Sequence, residues 1–482
     1  MSKIKAGVFI IGFLSLVQIG RAQFDSQSPY SYYGIGNPVG NTLQNGFAMG
    51  GVGHALRDSC AINWINPASY SSIMVTQLVF GFEGNFLTRQ ENGASINNSS
   101  VFINQFGIGV PIIHKHKFLN WGMYLGYAPY SNVGYKLADT ATVIIGTDTM
   151  DAVYNYVGTG GLNRLTWGNG FQLGRHFSLG FNLNYTFGIS NRIRTLLLPS
   201  DLGYLSSRVD EKTNVNNFSF DIGAQGYFNF NVKRYRLPKR TVYAKTDSTS
   251  RRVIVRPNSE RDDHGAIDKK YQVTIGGTYN YGGPFQAGFE QVGIQFFQGS
   301  FAVDTFLLNP NGNGEIVMPH AFGAGIALAN PGIWTLSADF NYKLWNSFKY
   351  FDQPDLVLYN SYSLHLGAEW NPYFSDKINA KKGRFWKNIV FRTGARYYSR
   401  YYRPDTNPVD EVAFSFGLGL PFGFSPSYDE DLRKHIIISY INVGLEGGIA
   451  NSRTGGLVNE SFFRFSLALS LRDKWFIKRR YN

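Results

Sequence analysis

Apolar and polar side chains alternate along long parts of this chain. From Phe463 to Leu471 every second residue is a large apolar one, and Arg464, Ser466 and Ser470 lie between them. Because successive side chains of a β-strand point to opposite faces, this spacing predicts a strand with one apolar face and one polar or small face. The same alternation is found in the segments 217–230, 333–347, 361–372 and 410–421.

These alternating segments favour strands that cross a lipid bilayer. They are about 10 to 14 residues long, whereas strands usually have about 5 or 6, and this length suffices for a tilted crossing. Their polar face carries charges, which a dry sandwich core does not tolerate unpaired but a hydrated lumen does. A soluble β-sandwich, which also alternates, is the competing interpretation. The predicted lumen charges are Asp339, Glu369, Arg392, Arg396 and Arg464.

Counting the segments gives the size of the barrel. About 14 strands can be read between residues 74 and 472, and bacterial single-chain barrels have even strand numbers. Since every backbone N–H and C=O must be paired inside lipid, membrane-crossing strands close into a barrel. We therefore predict an all-β fold, a transmembrane antiparallel β-barrel of about 14 strands. Segments 131–160, 191–214 and 282–315 are expected to be extracellular loops, and Tyr401 and Tyr402 are expected at the lipid interface.

The first residues have the features of an export signal. Lys3 and Lys5 precede the apolar run Gly7–Ile19, and two small residues follow at the spacing of a cleavage site. This order predicts a signal peptide over residues 1–22, with a buried helix as the alternative. Export favours the cell outer membrane of a Gram-negative bacterium and disfavours cytoplasmic chemistry.

Composition narrows the class further. Aromatic residues make up 16% of the chain and charged residues only 16%, which excludes a disordered chain. A single cysteine excludes a disulfide scaffold. The net charge of +13 is concentrated in the segment 231–270, which holds twelve Lys and Arg residues and five acids. We interpret this segment as a basic periplasmic insertion, and no nucleic-acid partner is expected because the rest of the chain is nearly balanced in charge.

Two stretches resemble a known family of barrels. Met49–Ser69 joins a Gly-rich start to Asn66-Pro67-Ala68, and Met318–Phe348 contains Trp334 and Asp339 in a predicted hairpin. Both resemble the FadL-type family of outer-membrane transporters for long-chain fatty acids and other hydrophobic compounds. The resemblance implies a barrel of the predicted size with an N-terminal plug inside the lumen. It also implies that apolar extracellular loops capture a ligand, which leaves the lumen sideways after the plug shifts.

Applied to this chain, the resemblance divides the mature part in two. Residues 23–73 are the expected plug, and residues 74–482 the barrel. Glycines allow close passage of a backbone, and Pro67 fixes a turn. The alternative is that these residues only close the floor of the barrel. The expected plug and gate residues are Gly50, Gly51, Gly53, Asn66, Pro67 and Ala68.

The resemblance also places ligand capture in the apolar segment 282–315. An exposed apolar surface of this kind needs a partner, and burial of each CH₂ contributes about 0.8 kcal/mol. Leu196, Leu197 and Leu198 of the segment 191–214 are expected on a facing wall. Alternatively, these side chains extend strands or pack on one another as a lid. The expected ligand-binding residues are Phe289, Ile294, Phe296, Phe297, Phe301, Leu196 and Leu197.

The sequence lacks signals of catalysis. It contains no GxSxG, HExxH or P-loop motif, so neither enzyme activity nor a cofactor is expected. His114 and His116 lie at a predicted turn without acidic or thiol neighbours, so no metal site is expected. Arg392, Arg396 and Arg464 can either bind a ligand carboxylate or pair with lumen acids.

Three functions compete at this point. The first is an outer-membrane channel for uptake of long-chain fatty acids or other hydrophobic compounds, whose partners are a hydrophobic small molecule or lipid and the surrounding outer-membrane lipids. The second is a FadL-like structural barrel that scaffolds a secretion or envelope complex, with a periplasmic protein bound at 231–270. The third is a general diffusion porin, which the expected plug and apolar loops disfavour.

Overall fold

Strands predominate in the computed structural model. It describes residues 28–40, 44–59, 61–91, 94–113, 118–146, 148–199, 203–235, 266–297, 302–351, 353–354, 357–372, 385–404, 407–426, 436–452 and 459–473. The expected signal peptide, His114, His116, Phe301 and most of the basic insertion lie outside the described residues. None of the helices in the described part of the chain is long and apolar enough to cross a membrane.

Fourteen antiparallel strands close into a barrel, which confirms the predicted fold class. Each strand pairs with its neighbour in sequence, and the last pairs with the first from Asn459↔Gln90 to Asp473↔Thr76. The seventh and eighth strands are each interrupted once. The strands are β1 (Thr76–Glu91), β2 (Ala94–Ile113), β3 (Leu119–Ile145), β4 (Asp148–Leu173), β5 (Phe177–Leu197), β6 (Ser206–Tyr235), β7a (Ala266–Asn280), β7b (Gly283–Phe296), β8a (Ala302–Met318), β8b (Ala321–Asn330), β9 (Trp334–Lys343), β10 (Ser361–Trp370), β11 (Val390–Ser399), β12 (Val409–Pro426), β13 (Ile436–Ser452) and β14 (Asn459–Asp473).

The barrel carries its apolar side chains outside and its polar side chains inside. Leu336, Leu366 and Phe414 expose 51%, 59% and 67% of their surface, whereas Asp339 and Glu446 expose 4% and 2%. A soluble sandwich would bury the first set and expose the second. This inversion is what contact with lipid requires, so the chain is a transmembrane β-barrel.

On one rim, three neighbouring hairpins stand taller than the rest of the barrel. They are β3–β4, β5–β6 and β7b–β8a, and β3 has 27 residues where β9 has 10. Extracellular loops were predicted from the sequence at the ends of these hairpins, and that expectation was wrong, because the residues form strands. Beyond the bilayer a strand has no lipid-facing side, so strict alternation is relaxed and the sequence pattern weakens. The segments concerned are 131–160, 191–214 and 282–315.

Tyr401 and Tyr402 lie inside the barrel rather than at the lipid interface. Each exposes only 1% of its surface. The ring of Tyr402 stacks on Tyr30 and Tyr33, with centroid distances of 4.9 and 5.5 Å. The expectation was wrong because β11 ends at Ser399, so the two tyrosines no longer follow the alternation of a strand.

The residues before β1 cross the lumen from the tall rim to the opposite rim. We call residues 28–73 the N-terminal segment. Near the tall rim the Ser28 hydroxyl donates to Glu460 at 2.6 Å, and at the other end Tyr70 lies against β3 and β4. Its short elements are the 3₁₀ helices Pro29–Tyr32 and Pro67–Ser72, the bridge Asn37–Pro38 and the α-helix Gln44–Phe47. Four further short elements lie between the barrel strands, at Trp345–Ser347, Lys349–Tyr350, Gln353–Pro354 and Phe385–Asn388.

Glycines in the wall allow the backbone of this segment to touch the strands. A Cβ atom on Gly394 would lie 2.1 Å from the amide nitrogen of Gly50, and one on Gly122 would lie 1.9 Å from the carbonyl oxygen of Tyr70. Both approaches are backbone to backbone, so a side chain at either position cannot move aside. The wall and the segment are therefore fitted to one another.

Candidate functional site in the barrel lumen

Asn66 and Pro67 form the start of the lower 3₁₀ helix. The Asn66 side chain accepts a hydrogen bond from Ala68 N at 3.1 Å, as an N-cap does, and Pro67 occupies the first helical turn. The same side chain donates to the carbonyl oxygens of His54 at 2.7 Å and Ala224 at 3.1 Å. Asn66 thus holds the 3₁₀ helix Pro67–Ser72 against His54, earlier in the N-terminal segment, and against β6.

Asp339 of β9 holds the middle of the N-terminal segment. One carboxylate oxygen accepts from the amides of Gly53 at 2.5 Å and His54 at 2.8 Å. The His54 ring lies 2.6 Å from Asn341 Oδ1 and 3.1 Å from Thr278 Oγ1. Hydrogen bonds to an ionised acceptor are about twice as strong as neutral ones, so Asp339 is the principal anchor here. It was expected only as a lumen charge.

Gly50 and Gly51 make a tight turn against β10 and β11. Their φ angles are +69° and +89°, in the left-handed region that favours glycine. The Gly50 amide donates to Ser415 Oγ at 2.9 Å, and its carbonyl oxygen lies 2.6 Å from Nδ1 of His365. The turn is therefore hydrogen-bonded to β10 through His365 and to β12 through Ser415, and it touches β11 at Gly394.

The lumen arginines on β11 and β14 form ion pairs with acids of the wall. Arg392 Nε lies 2.7 Å from Glu369, and Arg396 Nη2 lies 3.0 Å from Glu446. Arg464 Nη1 lies 3.1 Å from the same Glu446 oxygen. Carboxylates of the barrel wall thus neutralise the charges of these three arginines, which leaves few of their N–H groups to bind a ligand carboxylate.

Arg57 sits at the lower end of the N-terminal segment among neutral partners. Its guanidinium lies 4.1 Å above the Tyr227 ring and donates to Ser71 at 3.2 Å and Ser178 at 3.1 Å. Burial lowers the pKa of Arg57 to about 10. Burial also raises the pKa of the nearby Tyr70 hydroxyl well above its usual range. Arg57 thus binds the segment to β5 through the hydrogen bond to Ser178 and to β6 through the cation–π contact with Tyr227.

An aromatic cluster fills the lumen near the tall rim. Trp345 stacks on Tyr401 at a centroid distance of 4.0 Å, and Phe348 and Tyr30 are buried in the same cluster. Sequence reasoning missed this cluster. The available signal was the run Pro29–Tyr33, which places three tyrosines before the first strand without any periodicity.

A cavity of about 240 Å³ adjoins the aromatic cluster. Arg192 of β5 is its only cationic lining residue in the described chain and donates to the carbonyl oxygen of Gly34 at 2.6 Å. The lining residues are Tyr32, Tyr33, Gly34, Arg192, Phe348, Tyr350 and Val357. A second cavity, of about 20 Å³, lies lower and has room for about one water molecule.

The seam between β2 and β3 is paired over only part of its length. The two strands pair from Ile113↔Trp121 to Phe106↔Tyr127, and among the described residues no pairing continues above that point. There the bridge Asn37–Pro38 of the N-terminal segment pairs with β3 instead, at Asn132 and Ser131. The segment therefore occupies part of the free edge of β3.

The expected ligand-binding residues do not form one surface. Phe289 packs on the Phe351 ring inside the barrel, at a centroid distance of 4.7 Å. Ile294 and Phe296 lie on the opposite face of β7b, because they are an odd number of residues away. Leu196 joins a separate cluster, and Leu197 points to the other side of β5. Phe297 is 40% exposed just after β7b.

The described residues contain no group of three His, Cys, Asp or Glu side chains that could hold a metal ion. What they do contain is a polar, ion-paired wall, an internal segment and an aromatic cavity beside an unpaired seam. Together these define a transmembrane barrel whose lumen is crossed by its own N-terminal residues.

Comparison with known proteins identifies the family. A sequence profile of the BamG family matches residues 3–263 and 261–482, so the chain belongs to the BamG family. A search of curated proteins finds no match.

Solved structures share the fold at low identity. TodX, a toluene transporter of P. putida, is 13% identical, with 91% of this chain and 100% of TodX covered and a TM-score of 0.50. A FadL homologue of Pseudomonas aeruginosa is 12% identical, with 90% and 99% covered and a TM-score of 0.49. The toluene transporter TbuX of Ralstonia pickettii is 13% identical, with 90% and 98% covered and a TM-score of 0.48. The chain thus shares its fold with TodX, while the family that its sequence shows is BamG.

Proposed function

We propose that this barrel is an outer-membrane channel for the uptake of hydrophobic compounds, long-chain fatty acids among them. The observation that supports the proposal is the unpaired upper seam between β2 and β3, which adjoins the aromatic cluster and where Asn37–Pro38 pairs with the free edge of β3. An apolar molecule gains about 0.8 kcal/mol for each CH₂ that it buries. A lateral exit lets it pass from aromatic side chains to lipid without crossing water.

In this proposal the N-terminal segment is the plug and its upper part is the gate. Displacement of the bridge breaks two strand pairings and the hydrogen bond from Val39 N to Tyr130 O at 3.1 Å. The lower part stays fixed by Asp339 and Asn66, so the gate opens without loss of the plug. The tall hairpins provide the outer surface on which a ligand is first captured.

A reversible disulfide tests the gate. Asn37 and Asn132 face each other in an antiparallel pair, whose Cα separation of about 5 Å suits a disulfide. The test variant therefore combines Asn37→Cys with Asn132→Cys. In a Cys60→Ser background, we expect oxidation to abolish uptake of labelled oleate into cells and reduction to restore it. The matched control links Leu336→Cys to Ala368→Cys across β9 and β10, away from the seam. Undiminished uptake in the oxidised seam variant would refute lateral release.

The second candidate, a structural barrel that scaffolds an envelope complex, is favoured by the close fit of the N-terminal segment. Backbone contacts at Gly394 and Gly122 and the bonds to Asp339 and Asn66 resist movement of the segment as a whole. The basic insertion 231–270 would then bind a periplasmic protein. Deletion of residues 236–265 should remove that partner from the purified complex. Formation of the seam disulfide between positions 37 and 132 should leave cell growth unchanged.

A further inference from the structure

The cavity beside Arg192 combines aromatic walls with one cation. Tyr32, Tyr33, Phe348 and Tyr350 supply four rings. Its volume of about 240 Å³ falls just below the 300–1,000 Å³ of typical small-molecule sites. The space therefore suits a molecule of one aromatic ring and a short substituent, and it is too small for a whole long-chain lipid.

Arg192 differs from the arginines of the opposite wall. Arg392, Arg396 and Arg464 each pair with a carboxylate. Within the described chain Arg192 has no ion pair, and its guanidinium lies 4.9 Å from the Tyr350 ring. Its Nε atom is buried without a hydrogen-bond partner, as is the Nε atom of Arg396, but Arg396 has its carboxylate partners. A buried donor without a partner costs free energy, and a carboxylate would satisfy it with a charge-assisted bond.

The nearest acid does not fulfil this role. Glu211 of β6 accepts hydrogen bonds from the Tyr350 hydroxyl at 3.0 Å and from Gln291 at 3.1 Å, and it lies 3.7 Å from Arg194. Its charge is thus met by other groups. The positive charge of Arg192 is left facing the cavity, where the Gly34 carbonyl oxygen is its one hydrogen-bond acceptor among the residues that the structure describes.

We propose that this cavity binds a small aromatic acid whose carboxylate replaces the Gly34 carbonyl oxygen as the partner of Arg192. Gly34 precedes the bridge Asn37–Pro38 by only a few residues, so loss of its bond to β5 loosens the bridge from β3. Binding of the acid thereby opens the seam. This inference rests on the proposed uptake function, and it adds a ligand class and a trigger to it.

Matched probes test the site. Phenylacetate and phenylethanol have the same ring and nearly the same size, and only the first carries a charge. By equilibrium dialysis of the full-length barrel in a nonionic detergent at neutral pH, we expect wild type to bind phenylacetate at least about tenfold more tightly. Arg192→Gln should lose this preference, and Arg192→Lys should retain part of it. Arg208→Gln is the control, because Arg208 pairs with Asp210 outside the cavity.

A second measurement reports on the bridge. In the Cys60→Ser background, Asn37→Cys should react faster with a maleimide when phenylacetate is added, but not when phenylethanol is added. Equal binding of the two probes, or an unchanged preference in Arg192→Gln, would overturn the acid site. A seam disulfide that leaves oleate uptake intact would refute lateral release through the seam, and absence of oleate uptake in wild type would refute uptake itself. Neither result depends on phenylacetate binding, so failure of the acid site is distinguishable from failure of the uptake proposal.

Discussion

Replacement of Asp339 by alanine tests how firmly the N-terminal segment is held. The change removes the acceptor of the Gly53 and His54 amides, at 2.5 and 2.8 Å. Hydrogen bonds to a charged group contribute about 1.5–3 kcal/mol each, and water can replace part of the loss. We therefore expect the free energy of undocking to fall by about 3 kcal/mol, which raises the undocked fraction about 100-fold. Asp339→Asn keeps one acceptor oxygen and should raise it about tenfold or less.

Limited trypsin digestion measures this fraction, because Arg57 lies within the segment and cleavage follows the population of the opened state. Cleavage products are identified by mass spectrometry, and the faster migration of the unheated barrel on gels verifies that the wall is folded. Glu369→Gln is the control, since that lumen acid pairs with Arg392 on β11. If Asp339→Ala is cleaved no faster than Glu369→Gln, Asp339 is not the anchor inferred here.

Three further changes address the wall. Gly394→Ala places a Cβ against the Gly50 backbone, so we expect an intact barrel with a protease-sensitive N-terminal segment; normal protection would contradict the fit. Arg396→Gln leaves buried Glu446 with one partner fewer and should lower the free energy of unfolding by about 3–5 kcal/mol. The loss is measured as a lower midpoint of urea unfolding, and an unchanged midpoint would show that the ion pair is dispensable. Leu366→Arg on the lipid face should cost about 2–4 kcal/mol, measured by folding into vesicles, and no loss would argue against lipid contact there.

The sequence was sufficient to predict the strands within the bilayer. It was insufficient to predict the contacts between strands that depend on their register. Lipid on one side enforces alternation, so the number of strands and the inward position of Asp339 could be predicted. Arg392 faces Glu369 directly across β10 and β11, but such a pairing follows from strand register, which composition does not encode. The open seam is a further case, because the pattern of apolar and polar residues does not show which strand edges are paired.

The candidate site was predicted only in part for a related reason. The glycines and Asn66 of the N-terminal segment could be recognised from a local motif. The aromatic cavity could not, because Tyr32, Arg192 and Phe348 come from distant parts of the chain and meet only when the barrel closes. Phe289 and Ile294 seemed equivalent as apolar residues of one stretch, until strand geometry put them on opposite faces.

The bonds of the N-terminal segment also set an order of assembly. The segment precedes the strands in the chain, yet Gly50 bonds to Ser415, and Ser28 bonds to Glu460, 432 residues further along. Such distant partners are among the slowest to meet during folding. The N-terminal segment must therefore keep its polar groups in water until the strand β14, which carries Glu460, has formed. Docking of these residues marks the completion of the barrel.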